Sequence, residues 1–458
     1  MSRLMLPSFV LCVALPAFAF SQDAVVQGRT VKEWTQGLKH LDPRIRFWSL
    51  QALGEAGADA ASATPTLAKL LKDPYPQIRR ESAKILASLG GDAAETAPAL
   101  AASLGDSDAG VRQHAAQALS GLGDKAMPAL LDALKSKDIP PRLGALGALE
   151  AMQPSPEIVK AVAATAKDAS SIALRRAAVS VLVKFGSMDP DAEEALVAAL
   201  RDKELTIRHT AAAGLIAAGK ETQPHFAKAF DDANPAVRLT CLQALAQFGD
   251  DLDPASIMLF GKALDDPDGK VRFQAASALG ATTNAREFGG GAKLAEKLFD
   301  RAANDKEASV RRAAVWALGK IGVDSPEELN KLGQSLKDAD IYARGLTVQS
   351  LGQYLHEETP AEWRTVIIGR LVEALKDRDR RVQSAAAEVL SSQGQAAFDP
   401  LSKLLEAGNG SARMFAAYLL GEIGAPAAAA IPTLEKMSRD ATPEARAVAQ
   451  QALVKIKP

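Results

Sequence analysis

The sequence predicts an all-α chain of about thirteen antiparallel helix pairs stacked into a solenoid, and three observations predict it. First, residues 305–322 (DKEASVRRAAVWALGKIG), 232–249 (DANPAVRLTCLQALAQFG) and 106–123 (DSDAGVRQHAAQALSGLG) share one frame: Asp, Val-Arg, small and apolar residues at helical spacing, then Gly. Second, the frame recurs. Its Arg stands at Arg46, Arg79, Arg112, Arg142, Arg175, Arg208, Arg238, Arg272, Arg311, Arg344, Arg413 and Arg446, and Gln383 takes its place in RVQSAAAEVLSSQG. That makes thirteen copies spaced by 30 to 39 residues, most often 33. Third, a second periodic segment lies between copies, such as PTLAKLLKD at 65–73 or MPALLDALKS at 127–136. Each copy is therefore a helix pair. One pair cannot bury its apolar face alone, whereas a stack of pairs can.

The chain opens differently from its repeats. Arg3 precedes an apolar run from Leu4 to Phe20, and Ala17, Ala19 and Ser21 supply small residues at cleavage spacing, so residues 1–21 read as a secretory signal peptide. The run is short for a membrane span and is interrupted by Pro7 and Pro16, and no later segment resembles a transmembrane helix. Residues 22–458 then form a single solenoid domain. The expected location is the periplasm or the extracellular space of a bacterial cell. Cys12 leaves with the signal, and Cys241 stands where other copies carry a small core residue, so no internal disulfide is expected. The charges, 54 basic against 55 acidic, show no basic excess that would point to nucleic acid.

Thr30 and Glu33 open the first helix at capping-box spacing, and Trp34 is placed to cover the open end of the core. Within the second helix of each pair, apolar residues fall one before the Arg and three, six, seven and ten after it, as Val310, Ala314, Ala317, Leu318 and Ile321 do around Arg311. These share one helical stripe. A Gly eleven after the Arg (Gly57, Gly90, Gly123, Gly186, Gly219, Gly249, Gly322, Gly394, Gly424) suits a helix C-terminus that needs positive φ. Pro65 and Pro128 suit a first helical turn. Asp six before the Arg, as at Asp73, Asp106, Asp202, Asp232, Asp266 and Asp305, is expected to cap the second helix or to pair with the Arg of a neighbouring copy.

This pattern resembles HEAT repeats, specifically the short bacterial type described as phycobilisome-lyase-like, from about Thr30 to Lys457. The resemblance implies a right-handed superhelix whose second helices line a concave groove. It does not fix an activity. Deoxyhypusine hydroxylase, which this chain resembles in architecture, binds two irons through repeated His-Glu pairs. Of His40, His114, His209, His225 and His356, only His356-Glu357 forms such a pair, which is too few for a dinuclear site. Nothing marks a chromophore pocket for bilin-lyase chemistry. Gly289-Gly290-Gly291 lacks the Gly-Lys-Ser/Thr of a phosphate loop, Asn409-Gly410-Ser411 reads as a turn, and the pairs Asp231-Asp232 and Asp265-Asp266 read as caps. No catalytic residue, cofactor or metal is expected.

What varies between copies carries the functional expectation. The position five after the Arg lies about 140° from the centre of the apolar stripe. Most copies place a polar or small residue there, such as Gln117 or Ser277, but Trp316 and Tyr418 occupy it in two. The position just after the Arg holds Phe273 and Met414 in two others. With Arg312 and Lys320 nearby, these residues form the expected contact set for a protein or peptide partner, with packing against a neighbouring copy the alternative for Trp316 and Tyr418. Phe47 and Trp48 are expected to pack in the first repeat. Residues 341–383, where Tyr354 replaces an apolar residue and a long connection carries Trp363, form a second irregular region.

Overall fold

The computed structural model describes residues 24–186, 188–282, 285–288, 290–408 and 410–457. The expected signal peptide at 1–21 and Cys12 lie outside the described residues, as do Gly289 and Asn409. The chain divides into two compact units, residues 1–181 and 182–458, with the division inside the helix Ile172–Gly186.

The first unit begins with a hairpin, β1 (Val25–Val26) antiparallel to β2 (Arg29–Thr30), turned through Gln27 and Gly28 at φ 51° and 77°. The Thr30–Glu33 capping box forms as the sequence predicts: the Glu33 amide donates to Thr30 Oγ1 at 3.3 Å, and the Thr30 amide donates to Glu33 Oε2 at 2.8 Å. Trp34 Nε1 donates to the Val26 carbonyl at 2.8 Å, and the Arg29 guanidinium sits 5.1 Å from the indole centroid. The end residues are thus pinned to the hairpin by their polar edges. Four second helices, Pro43–Ala56, Pro76–Leu89, Ala109–Gly121 and Ile139–Glu150, pack side by side in one layer. The first helices Thr64–Leu70, Ala97–Ser103, Met127–Ala133 and Pro156–Ala166 form the other layer. Between the layers, Leu53, Leu67, Leu86, Leu100, Leu119 and Leu130 are fully buried.

The second unit repeats this plan. Its second helices are Leu205–Ala218, Pro235–Leu245, Gly269–Ala281, Ala308–Ile321, Ile341–Gln353, Arg380–Ser391, Gly410–Ile423 and Pro443–Ile456, each packed on the next. Phe226, Phe260, Leu298, Leu318, Leu371 and Leu434 fill its core. The predicted stripe holds, with Val310, Ala314, Ala317 and Leu318 buried and Ile321 half-buried at the helix end. Cys241 is a buried free cysteine, and burial pushes its thiol up to about 12. Trp363 lies half-buried in the helix Ala361–Ala374. The Tyr354 hydroxyl donates to the Leu318 carbonyl at 3.0 Å, which satisfies a phenol that burial pushes up to about 12.

Three expectations change. The Asp six before the Arg is not the helix cap; the cap lies two residues later, at Asp108, Asn234, Asp268 or Asp340, whose side chains accept from the first helical amides. The earlier Asp instead accepts the amide of that cap residue, as Asp106 does from Asp108 at 2.8 Å and Asp338 from Asp340 at 2.7 Å. Positive φ occurs at Gly57, Gly90, Gly123, Gly219, Gly249, Gly322, Gly394 and Gly424 but not at Gly186. Gly186 is still helical, and a Cβ there would meet Leu196 Cδ1 at 2.9 Å, so close packing is its constraint. Trp48, expected to pack, stands 64% exposed.

Candidate functional site

The most repeated polar group in the chain is the Arg of the frame. Across the copies the guanidinium makes one or both of two kinds of contact. Its Nη1 reaches back to the loop before its own helix: Arg79 to the Asp73 carbonyl at 3.0 Å, Arg272 to the Asp266 carbonyl at 2.9 Å, and Arg446 to the Asp440 carbonyl at 2.8 Å. In six copies Nε and Nη2 also grip the Asp of the next copy as a fork. In the first unit Arg46 holds Asp73 and Arg79 holds Asp106. In the second, Arg238 holds Asp266, Arg272 holds Asp305, Arg311 holds Asp338 and Arg344 holds Asp377. These carboxylates are spoken for three times over, by the fork, by the loop amide and by burial, which leaves them no reach toward a substrate. Burial pushes Asp305 and Asp338 up, while the Arg fork and the loop amide outweigh it and leave both below the ordinary carboxylate value.

Exceptions follow the loss of a partner. Gln383 replaces Arg, and the next copy has Ala407 where the Asp would stand. Its Nε2 donates instead to the Asp377 carbonyl at 2.6 Å and to Ser411 Oγ at 2.9 Å. Arg208 Nε turns to Thr240 Oγ1 at 3.3 Å while Arg201 takes Asp232 at 3.2 Å.

With the repeated Arg–Asp pairs holding neighbouring copies together, the open face of the second helices is where contact residues stand free. The structure divides the expected set. Phe273, Arg312, Trp316 and Lys320 lie on the neighbouring helices Gly269–Ala281 and Ala308–Ile321, whereas Met414 and Tyr418 lie on Gly410–Ile423, with two second helices between. At 8–10 Å per packed helix the two groups are roughly 30 Å apart. Phe273 is 42% exposed and Tyr418 is 48% exposed, with Lys455 Nζ 5.8 Å from the Tyr418 ring centroid. Met414 is half-buried. Trp316 is also half-buried, with its ring laid against Gly280 of the neighbouring helix. Lys320 is exposed and lines a crevice of about 630 Å³ with Arg286 and Asp324. Arg286 there is fully engaged by the Gly322 carbonyl, Asp324 and Glu328.

Sequence reasoning missed Tyr342. It stands two before its Arg and is 59% exposed. Seven residues separate it from Gln349, close to two full helical turns, so the two point the same way. That spacing was the available signal. The Arg312 guanidinium lies 5.5 Å from the Tyr342 centroid, and its Nε lies 3.7 Å from Asp340. Arg381, from the following helix, reaches the same hollow and is held by Asp379 at 3.0 Å.

Among the described residues, no three His, Cys, Asp or Glu side chains gather as a metal-binding group. His225 and Glu193 pair at 2.7 Å without a third ligand beside them. No described helix is long and apolar enough to cross a membrane.

Comparison with known proteins agrees with the repeat geometry. A HEAT-repeats profile matches residues 31–120, 127–217, 223–288, 287–352 and 368–454, and a PBS lyase HEAT-like repeat profile matches 111–136. A search of curated proteins found no match. Among solved structures, the chain is similar to Kap121p bound to Ste12p, at 16% identity and a TM-score of 0.49 over 93% of this chain and 52% of that one. It is likewise similar to Kap95p in a structure with RanGDP (15%, TM-score 0.43) and to importin beta (13%, TM-score 0.42), each over 93% of this chain and 66% of theirs. The chain therefore spans between 52% and 66% of the length of these proteins. Thirteen helix pairs, twelve carrying the frame Arg and one Gln383, and a profile that covers most of the sequence lead to one assignment: the chain is an all-α solenoid and belongs to the HEAT-repeat family.

Proposed function

We propose that this chain is an exported, non-catalytic scaffold or adaptor that binds a protein or peptide on the open face of its second helices, in the periplasm or outside the cell, with residues 22–458 as the working module. The observation that carries the reading is the set of large side chains on that face which the core does not use: Phe273, Tyr342 and Tyr418 are 42%, 59% and 48% exposed. Rigid aromatic groups bury much area at small entropic cost when a partner covers them. The repeated Arg and Asp groups are consumed by the junctions between copies, which leaves the variable positions to carry recognition. Export rests on the sequence of residues 1–21.

The test is capture from an envelope extract with the purified protein beside a Phe273→Ser, Tyr342→Ser, Tyr418→Ser variant. These three are chosen because they are exposed, so the variant keeps its helicity and melting temperature. Trp316 is left intact because its ring packs on Gly280. A partner held by the parent and lost by the variant supports the reading. Equal retention by both overturns the assignment to this face, and capture of no partner by either overturns the scaffold reading.

A further inference from the structure

The hollow around Tyr342 is built from three consecutive second helices. Arg312 comes from Ala308–Ile321; Ile341, Tyr342, Leu346 and Gln349 come from Ile341–Gln353; Arg381 comes from Arg380–Ser391. It is a shallow trough of about 430 Å³, with aliphatic side chains on its floor, one exposed tyrosine and an arginine at each side. We infer that this trough docks a linear, acidic peptide segment that also carries apolar or aromatic side chains. The inference rests on the scaffold reading above and names the class of ligand.

Charge complementarity selects that occupant. The chain as a whole is balanced, 54 cations against 55 anions, so a local excess is a property of the place. The loop and first turn beside the trough, KDRDRR at 376–381, concentrate cations. Asp377 in that stretch is taken by Arg344 beneath it, at 2.7 Å. Asp379 and Asp340 are committed as helix caps, accepting amides at 2.9 Å from Arg381 and Ala343 respectively. Arg312 and Arg381 line the trough, Arg381 held by Asp379 through Nε and Nη2 at 3.1 and 3.0 Å, and the adjoining stretch KDRDRR carries four cations against two acids. Among the described residues Arg380 pairs with no carboxylate, and Arg378 donates to the Ala339 carbonyl at 3.0 Å rather than to an acid. Arg312 Nε donates to the Ala308 carbonyl at 3.3 Å and meets Asp340 only at 3.7 Å, too long for a hydrogen bond.

The chemistry of each side chain then assigns its part. A guanidinium presents a planar fork that suits a carboxylate. Tyr342 is amphipathic, so its ring offers a stacking face while Arg312 and Arg381 flank it. Ile341 and Leu346 give apolar contact, and Gln349 on the exposed side offers an amide that can both donate to and accept from an extended backbone. A basic peptide would meet two arginines at close range, and a purely apolar one would desolvate them without compensation.

The test uses the full purified chain and a fluorescein-labelled peptide of alternating Glu and Phe, read by anisotropy at low and at moderate salt. Two control probes accompany it, the same peptide with Gln for Glu and a labelled oligothymidylate. Expected results are binding of the Glu peptide that weakens with salt and a loss of about tenfold or more with the Gln peptide, the equivalent of about 1.4 kcal/mol. An Arg312→Ala, Arg381→Ala double variant of unchanged melting temperature loses about as much. Hydrogen exchange on the unmutated chain needs no variant, and protection by the peptide is expected over residues 341–349 and 380–385. The inference is overturned if the Gln peptide binds equally, if protection falls elsewhere, if oligothymidylate binds more tightly than the Glu peptide, or if the Glu peptide does not bind. Such a failure, with capture of a partner still dependent on Phe273, Tyr342 and Tyr418, sinks the acidic ligand class and leaves the scaffold reading standing. Loss of both sinks the two together.

Discussion

At the scale of the single residue, Arg272 shows what the repeated Arg does. Its side chain is 6% exposed and that of its partner Asp305 only 1%, and the two meet at 2.6 and 2.8 Å through a fork. The same guanidinium holds two loop carbonyls through Nη1, at 2.9 and 3.0 Å. Taking both charges out of water is costly, and the fork and the loop bonds offset that cost only while both partners are present. Arg272→Ala is therefore expected to destabilise the protein by about 3 kcal/mol, since it leaves a buried carboxylate with only the Glu307 amide and Arg301, 3.6 Å away. Replacing Arg272 and Asp305 together with apolar residues of similar volume is expected to cost less than either single change. Denaturant unfolding of the two singles and the double, treated as a cycle, reads this directly; an additive double would show that the pair does not act as a unit. Much of this was legible in the sequence, because Asp and Arg recur at fixed offsets and a fixed offset fixes which neighbour each can reach. What the offset did not show is that the helix cap lies two residues after the Asp, since Asp, Asn and Ser at either position satisfy the same local pattern.

At the scale of the helix, the decisive residues are small ones eight positions after the Arg. In Gly269–Ala281, a Cβ on Gly280 would sit 2.5 Å from Trp316 Cζ3 and 2.9 Å from the Cα of Ala317. In Gly410–Ile423, a Cβ on Gly421 would sit 2.9 Å from the Cα of Ala452. The neighbouring backbone cannot move aside as a flexible side chain can. Ala is a better helix former than Gly by about 1 kcal/mol, but overpacking a tight contact costs about 1–3 kcal/mol. The contact is expected to win at Gly280, so Gly280→Ala lowers stability. At Gly147, in Ile139–Glu150, nothing lies within 4 Å of an added Cβ, and Gly147→Ala is expected to raise stability by up to about 1 kcal/mol. Thermal and denaturant unfolding of the two variants gives opposite signs if packing governs; a stabilising Gly280→Ala would refute the close contact. The sequence showed Trp316 as an aromatic at a nominally open slot. It could not show the matching Gly280, because which small residue of one copy faces which large residue of the next depends on how the two helices cross, and a repeat frame does not encode that. Tyr342 is the opposite case: the spacing that joins it to Gln349 was present, and its position simply lies outside the two slots that vary most visibly.

At the scale of the whole molecule, the same junction is repeated along each unit, and the stability of a solenoid is close to a sum over such junctions. A condition that weakens one weakens many. Acid is that condition. Asp106, Asp305 and Asp338, each gripped by an Arg fork and each accepting a loop amide, are held below the ordinary carboxylate value even though burial pushes the other way. Asp168 is lowered to about 2, first by the Ser170 hydroxyl and amide and then by Arg142. A group whose pKa is depressed on folding contributes stability that is fully present above its unfolded value, about 3.9, and that is lost as pH falls through its folded value. The melting temperature is thus expected to be nearly level from neutral pH to about 5 and to drop steeply below about 4. Because junctions in both units carry these carboxylates, the loss should appear along the whole chain rather than at one end. Circular dichroism melts over a pH series, with hydrogen exchange at the lowest pH that keeps the chain folded, measure both parts. Melting that stays level well below pH 4, or exchange that rises in a single stretch while the other junctions stay protected, would show that the Arg–Asp forks do not carry the neighbour coupling assigned to them here.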